Sequence, residues 1–307
     1  MENFLIGHYG AFDREKQKRD YRDSFWGIEA CMMKSEAEIL ALHRHIKSHQ
    51  INLGIHFPLR ANLWISRDPQ YLSNNEDVRT ESYAYMEKEF EYAGKLNPDY
   101  ILVHWPKPVV LDERVEWLAW KWRFAHESEY CYLSDMNIEV FESRTDAFFS
   151  WFSAQAQKHA FKPVIELDAI PPYVYEGDLL NRLLKKYPDI KIFADIGRLH
   201  FQQKIDSHFD SFKFLESIVP FLSGVHLWNI KVTDSVSYGH YPALPSLRVE
   251  EGWADVKRYF QILNKSENHL KILFEHQSNL VSDKELADCY EWISKLYKQS
   301  TSNDGLK

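Results

Sequence analysis

Residues 163–168 read Pro163-Val164-Ile165-Glu166-Leu167-Asp168, a short apolar run that closes on two carboxylates. Such a run, apolar on both faces, is the signature of a strand buried in a parallel sheet. Downstream the plan repeats in Ile190–Ile196 with Asp195, Gly224–Ile230 with His226 and Lys271–His276 with Glu275. Upstream, Phe4–Tyr9 carries His8, Trp26–Cys31 carries Glu29, Asn52–Phe57 carries His56 and Tyr100–Trp105 carries His104. Eight buried strands separated by helical stretches predict an α/β protein, a single (β/α)8 TIM barrel.

The intervening helices are legible. Ser35 and Glu38 read as a capping box, followed by Ile39, Leu42 and Ile46 at helical spacing. Further stripes are Tyr83-Met86-Phe90-Ala93, Phe148-Phe152-Ala156, Leu179-Leu183-Leu184, Trp253-Val256-Tyr259-Phe260 and Leu286-Tyr290-Ile293-Leu296. The unit after the fourth strand is oversized. Its extended β4–α4 region, Val109–Met136, holds Trp117, Trp120 and Trp122 and is expected over the C-terminal mouth, as a lid or a dimer contact.

The whole chain fits one barrel, over residues 1–299, with a polar flexible tail at 300–307. Three widely spaced cysteines, Cys31, Cys131 and Cys289, are odd in number and suit a reducing compartment. No run reaches the roughly 20 apolar residues that span a bilayer. No signal-peptide pattern opens the chain, so a cytoplasmic protein with no membrane partner is expected. The 45 acidic and 37 basic residues leave a net charge of −8 without a basic stripe, which argues against a nucleic-acid partner. A small-molecule partner is favoured, and a homo-oligomer is compatible with it.

An ionisable residue near the end of every strand is not what core packing asks for, since an unpaired buried carboxylate costs several kcal/mol. Carboxylates converging on one barrel mouth repel unless a cation lies between them. Two glutamates, an aspartate and one imidazole suit Mn²⁺ best, with Mg²⁺, Co²⁺ or Zn²⁺ as alternatives. Glu166, Asp195, His226 and Glu275 are therefore the expected ligands of one divalent ion. His8, His56 and His104 are expected to line the pocket and bind substrate, as are His240, Lys231 and Arg248.

In order and at barrel spacing, GIHFP (54–58), LVHWP (102–106), VIELD (164–168), FADIGR (193–198), GVHLWN (224–229), the His240-Tyr-Pro loop and ILFEH (272–276) resemble the xylose isomerase-like barrel superfamily. That superfamily holds sugar phosphate isomerases and epimerases and the endonuclease IV type of nuclease. The resemblance implies that Glu166 and Glu275 are also the catalytic acid and base on opposite faces of a carbohydrate substrate. It implies proton transfer through an enediolate. The nuclease pattern is broken, because Arg198 and Tyr238 stand where two ligands of its third metal belong. Arg198 either binds a substrate phosphate or carboxylate or pairs with Asp195 or Glu166. A dehydratase acting on a polyol or keto acid, and a non-catalytic carbohydrate-binding barrel, are the alternatives.

Overall fold

The computed structural model describes residues 1–121, 124 and 126–298. Trp122 and the expected tail at 300–307 lie outside these residues. Eight strands form a closed parallel barrel: β1 (Phe4–Tyr9), β2 (Gly27–Cys31), β3 (Asn52–His56), β4 (Tyr100–Trp105), β5 (Lys162–Leu167), β6 (Lys191–Asp195), β7 (Leu222–Leu227) and β8 (Lys271–Phe274). They follow one another around the barrel in chain order, and helices surround them. By internal contacts the chain falls into two compact units, and two of the four boundaries fall inside strands, β1 and β6. One unit is His8–Asp13 with Gly27–Phe193; the other is Met1–Gly7, Arg14–Trp26 and the chain from Ala194 onward.

The first unit holds β2 to β5 and the start of β6. Its helix Glu36–His49 buries Ile39, Leu42 and Ile46, as the spacing predicts. Ser35 caps it by accepting from the Glu38 amide, but the Glu38 carboxylate accepts from the Phe12 amide at 2.8 Å. Half of the expected box has thus been diverted to tie down the loop after β1. Phe90, from the helix Glu76–Gly94, packs against Phe57, Phe152 and Phe161 with ring centroids 5.3–5.6 Å apart. In the oversized region, Val109–Leu111 pairs in parallel with Tyr130–Tyr132. Trp117 and Trp120 are buried edge to face, and the Trp117 indole donates to the Asp112 carbonyl. These two indoles form the insertion's own core, as their large apolar area favours.

A close approach inside this unit sets the position of one layer. Gly54 on β3 is in register with Tyr100 on β4, and a Cβ on Gly54 would lie 2.2 Å from the Tyr100 ring. The missing side chain lets that ring cross β3 so that its hydroxyl donates to Glu29 Oε2 on β2 at 2.6 Å. Burial, and then Glu29, hold the Tyr100 hydroxyl well above its ordinary pKa.

The second unit packs Phe4, Phe25, Phe274 and Tyr290 edge to face. Its β7 ends at Leu227. The predicted continuation to Ile230 instead leaves the barrel and forms a hairpin, Asn229–Val232 against Val236–Tyr241. A continuous apolar run carries no mark of where a strand changes partner. His200, on the helix Ile196–Ile205, is buried with Nε2 3.0 Å from the Gly252 carbonyl. Gly252 sits at φ +96°, a left-handed conformation that a side chain would strain.

Gly54→Ala is expected to destabilise the fold by about 1–3 kcal/mol through overpacking. Gly177→Ala, where the nearest atom is 3.6 Å away, should cost far less in the same denaturant titration. Burial pushes the His200 imidazole down to about 4. In the unfolded chain it takes up a proton below about 6.5, so its contribution is complete above that pH and disappears as pH falls toward 4. The loss is about 3 kcal/mol. His200→Gln, which still donates to Gly252, should flatten the stability–pH curve in that window.

Candidate metal centre

Register brings the first group together. His104 on β4 is the cross-strand partner of Glu166 on β5, and their side chains point to one face. His104 Nε2 lies 3.2 Å from Glu166 Oε2 and His56 Nε2 lies 3.0 Å from the same oxygen. All three side chains are buried. The His56 Nδ1 is 3.0 Å from the Phe57 carbonyl, which only accepts, so that nitrogen carries a proton. A second proton on Nε2 then makes the contact with Glu166 attractive. Burial is the largest influence on His56 and opposes its charge. Cys31 and Glu166 outweigh it and hold the imidazole well above its ordinary pKa.

Two cations complete this group. A guanidinium nitrogen of Arg67 is 3.5 Å from His56 Nε2 and 3.8 Å from Cys31 Sγ. Lys107, at the end of β4, is buried between Asp68 at 3.2 Å and Asp168 at 2.8 Å. Burial opposes the Lys107 charge, yet Asp168 and Asp68 raise its pKa above the usual value. Burial likewise opposes the Asp68 charge, but His104 and Lys107 hold its carboxyl far below the usual range. His56, His104 and Glu166 have the spacing of a metal group. The Arg67 guanidinium beside them puts a fixed positive charge against a cation there.

The second group is built on strand ends from β6 onward. Asp195 caps the helix Ile196–Ile205, its Oδ1 accepting from the Arg198 amide at 2.9 Å. Its Oδ2 accepts from Arg198 Nε at 3.0 Å, with both side chains buried. Arg198 thus pairs with Asp195, one of the pairings its position allowed. His226 on β7 is fully buried, and its Nδ1 is 3.4 Å from Glu275 Oε2. Glu275 follows β8 and is the least buried of the set, with 26% of its side chain exposed. Asp195, His226 and Glu275 bring ligand atoms within 4.8 Å of one another.

The remaining residues singled out in the sequence lie as follows. His8 is buried with its ring 5.2 Å from Phe12. His240 stacks on Trp228 at 4.1 Å, and its Nδ1 is 3.0 Å from the Glu275 carbonyl. Gly197 makes that stack possible, since a Cβ there would meet the Trp228 ring at 2.3 Å. Lys231 is half-buried on the hairpin opposite Ser237. Arg248 is exposed and ion-paired with Glu251. Arg60 pairs with Glu89 and covers the Tyr92 ring. Asp68, Arg67 and Cys31 were missed in the sequence; an acidic residue in a loop after a strand carries no periodic signal.

No protein-family model matches the chain, and no curated protein matches it in sequence. Solved structures do match. A D-tagatose 3-epimerase-like protein aligns with TM-score 0.60 at 15% identity, over 98% of this chain and 99% of that one. The IolI protein with a bound zinc atom aligns with TM-score 0.62 at 10% identity, over 97% and 99%. Mannonate dehydratase from Streptococcus suis serotype 2 aligns with TM-score 0.59 at 13% identity, over 99% and 96%. The likeness extends over the full barrel at identities that speak for fold alone: this chain has the fold of the xylose isomerase-like TIM barrels.

Proposed function

We propose that this protein is a cytoplasmic, divalent-metal-dependent isomerase or epimerase of a sugar or sugar phosphate, moving a proton through an enediolate. The observation that carries this reading is the convergence of ligand atoms from Asp195, His226 and Glu275; Glu166 is assigned as the fourth ligand from the resemblance to the isomerase and epimerase barrels. The donor set fits an ion. Asp195 and Glu275 bring two carboxylates beside the His226 imidazole, and a cation between them would relieve their repulsion. Oxygen-rich donors with a single nitrogen suit Mn²⁺ foremost, then Mg²⁺, Co²⁺ or Zn²⁺. When bound, the ion polarises a carbonyl and the hydroxyl beside it and so acidifies the carbon-bound proton.

The chain's own residues divide the remaining work. Glu275, partly exposed, is the carboxylate that meets substrate from the open side and removes or returns the proton. Glu166 is buried with Oε2 held by His56 and His104, and it serves on the opposite face of the substrate. His240 fixes the backbone of Glu275 through its carbonyl, so the base is aimed by a stacked ring rather than by a free loop. The structural likeness to carbohydrate epimerases supports this reading. A dehydratase is the second reading. It is supported by the protonated His56 beside Glu166, which can supply a proton to a departing hydroxyl, and by the likeness to mannonate dehydratase.

The test is deuterium uptake from heavy water into a panel of keto sugars and their phosphates. Mn²⁺-loaded protein should label one of them, chelation should stop the labelling, and Mn²⁺ should restore it. Glu275→Gln and Glu166→Gln should each slow labelling by about a hundredfold or more. Full labelling by Glu275→Gln would sink the assignment, and release of a conjugated, ultraviolet-absorbing product would favour the dehydratase. Arg198→Met should destabilise the metal-free protein by about 3 kcal/mol, because Asp195 keeps a buried charge without its guanidinium. Saturating Mn²⁺ should then raise the melting temperature of this variant more than that of the wild type.

A further inference from the structure

Glu166 ends a continuous line of buried polar side chains. Its Oε2 faces His104 Nε2 at 3.2 Å, and the other ring nitrogen, Nδ1, faces Asp68 Oδ2 at 2.9 Å. Lys107 Nζ lies 3.2 Å from that aspartate oxygen and 2.8 Å from Asp168 Oδ2. The side chains of Asp68, His104, Lys107 and Asp168 are each no more than 5% exposed. Apolar residues of similar volume would fill this space at no loss of stability, so packing does not account for four ionisable groups. Their order does have a consequence. An ionised carboxylate only accepts, so Asp68 requires the proton on Nδ1 of His104 and fixes the plane of the ring. Lys107 offsets the charge of Asp68 and ties it to Asp168, two residues beyond Glu166 on the same strand end.

We propose that Asp68 and Lys107 are positioning residues for Glu166. Acting through His104, they fix the ring that Glu166 Oε2 faces and so the orientation in which the carboxylate is offered to the ion. This rests on the metal reading of Glu166. Asp68 touches neither ion nor substrate in this role. It sets how a ligand is oriented, and partners of that kind alter metal affinity when they are lost.

Two measurements on the full chain test it. Nitrogen NMR of isotope-labelled histidine in the metal-free protein should find His104 protonated on Nδ1 in the wild type. In Asp68→Asn that nitrogen should move toward an exchanging tautomer. Titration with Co²⁺ alone should show affinity weakened about tenfold or more in Asp68→Asn, with a changed visible absorption band. Asp20→Asn is the stability control. It removes another buried carboxylate, 2.6 Å from Lys16, and should lower the melting temperature while leaving both readouts unchanged. Asp68→Asn with a wild-type His104 signal and wild-type Co²⁺ affinity overturns the proposal. A wild type that takes up no Co²⁺ overturns the metal reading instead, and the His104 signal then decides whether Asp68 orients the ring.

Discussion

The constraint on which this barrel depends is electrostatic. Glu166 is a carboxylate with no measurable exposure, and water cannot stabilise its charge. The charge persists only if the fold supplies compensation at fixed distance. His56 and His104 do so from β3 and β4, and they in turn need partners, a carbonyl for one ring and Asp68 for the other. Each partner that is itself charged needs the next. The outcome is a line of ion pairs running from Glu166 to Asp168.

The same requirement is met differently from β6 onward. There the compensation is short: a helix N-terminus and one guanidinium serve Asp195, and an imidazole meets Glu275 at 3.4 Å. Glu275 also keeps partial access to solvent. The two glutamates are therefore unlike in setting. One is rigid and held by two rings; the other is more open and is steadied through its backbone. A pair of carboxylates in such different surroundings suits division of acid and base roles. The glycines serve this arrangement at two points. Gly54 admits the Tyr100 ring beneath His56, and Gly197 admits the Trp228 ring that supports His240.

Much of this was legible in the order of residues. Eight apolar runs of strand length, each with an ionisable residue near its end, were enough for the barrel. The strand edges were less legible. Lys271–His276 ends as a strand at Phe274, and Gly224–Ile230 splits between the barrel and a hairpin. Apolar pattern measures burial, and burial does not say which neighbour a backbone bonds to. The Ser35–Glu38 pair shows the same limit, since the carboxylate found an amide in the preceding loop.

The sequence alone determined the parallel barrel and the chemical types at its strand ends, because strand period and composition are local properties. It could not determine that Arg198 would turn onto Asp195, or that Lys107 would be sealed between two aspartates. Nor could it single out Asp68, an acidic residue in a loop with nothing periodic around it. Those pairings were decided by the tertiary structure alone. Lys107 meets Asp68 and Asp168 from tens of positions away, while Arg198 meets Asp195 three residues back where the helix after β6 begins, and which charges meet depends on how the chain folds back at the strand ends.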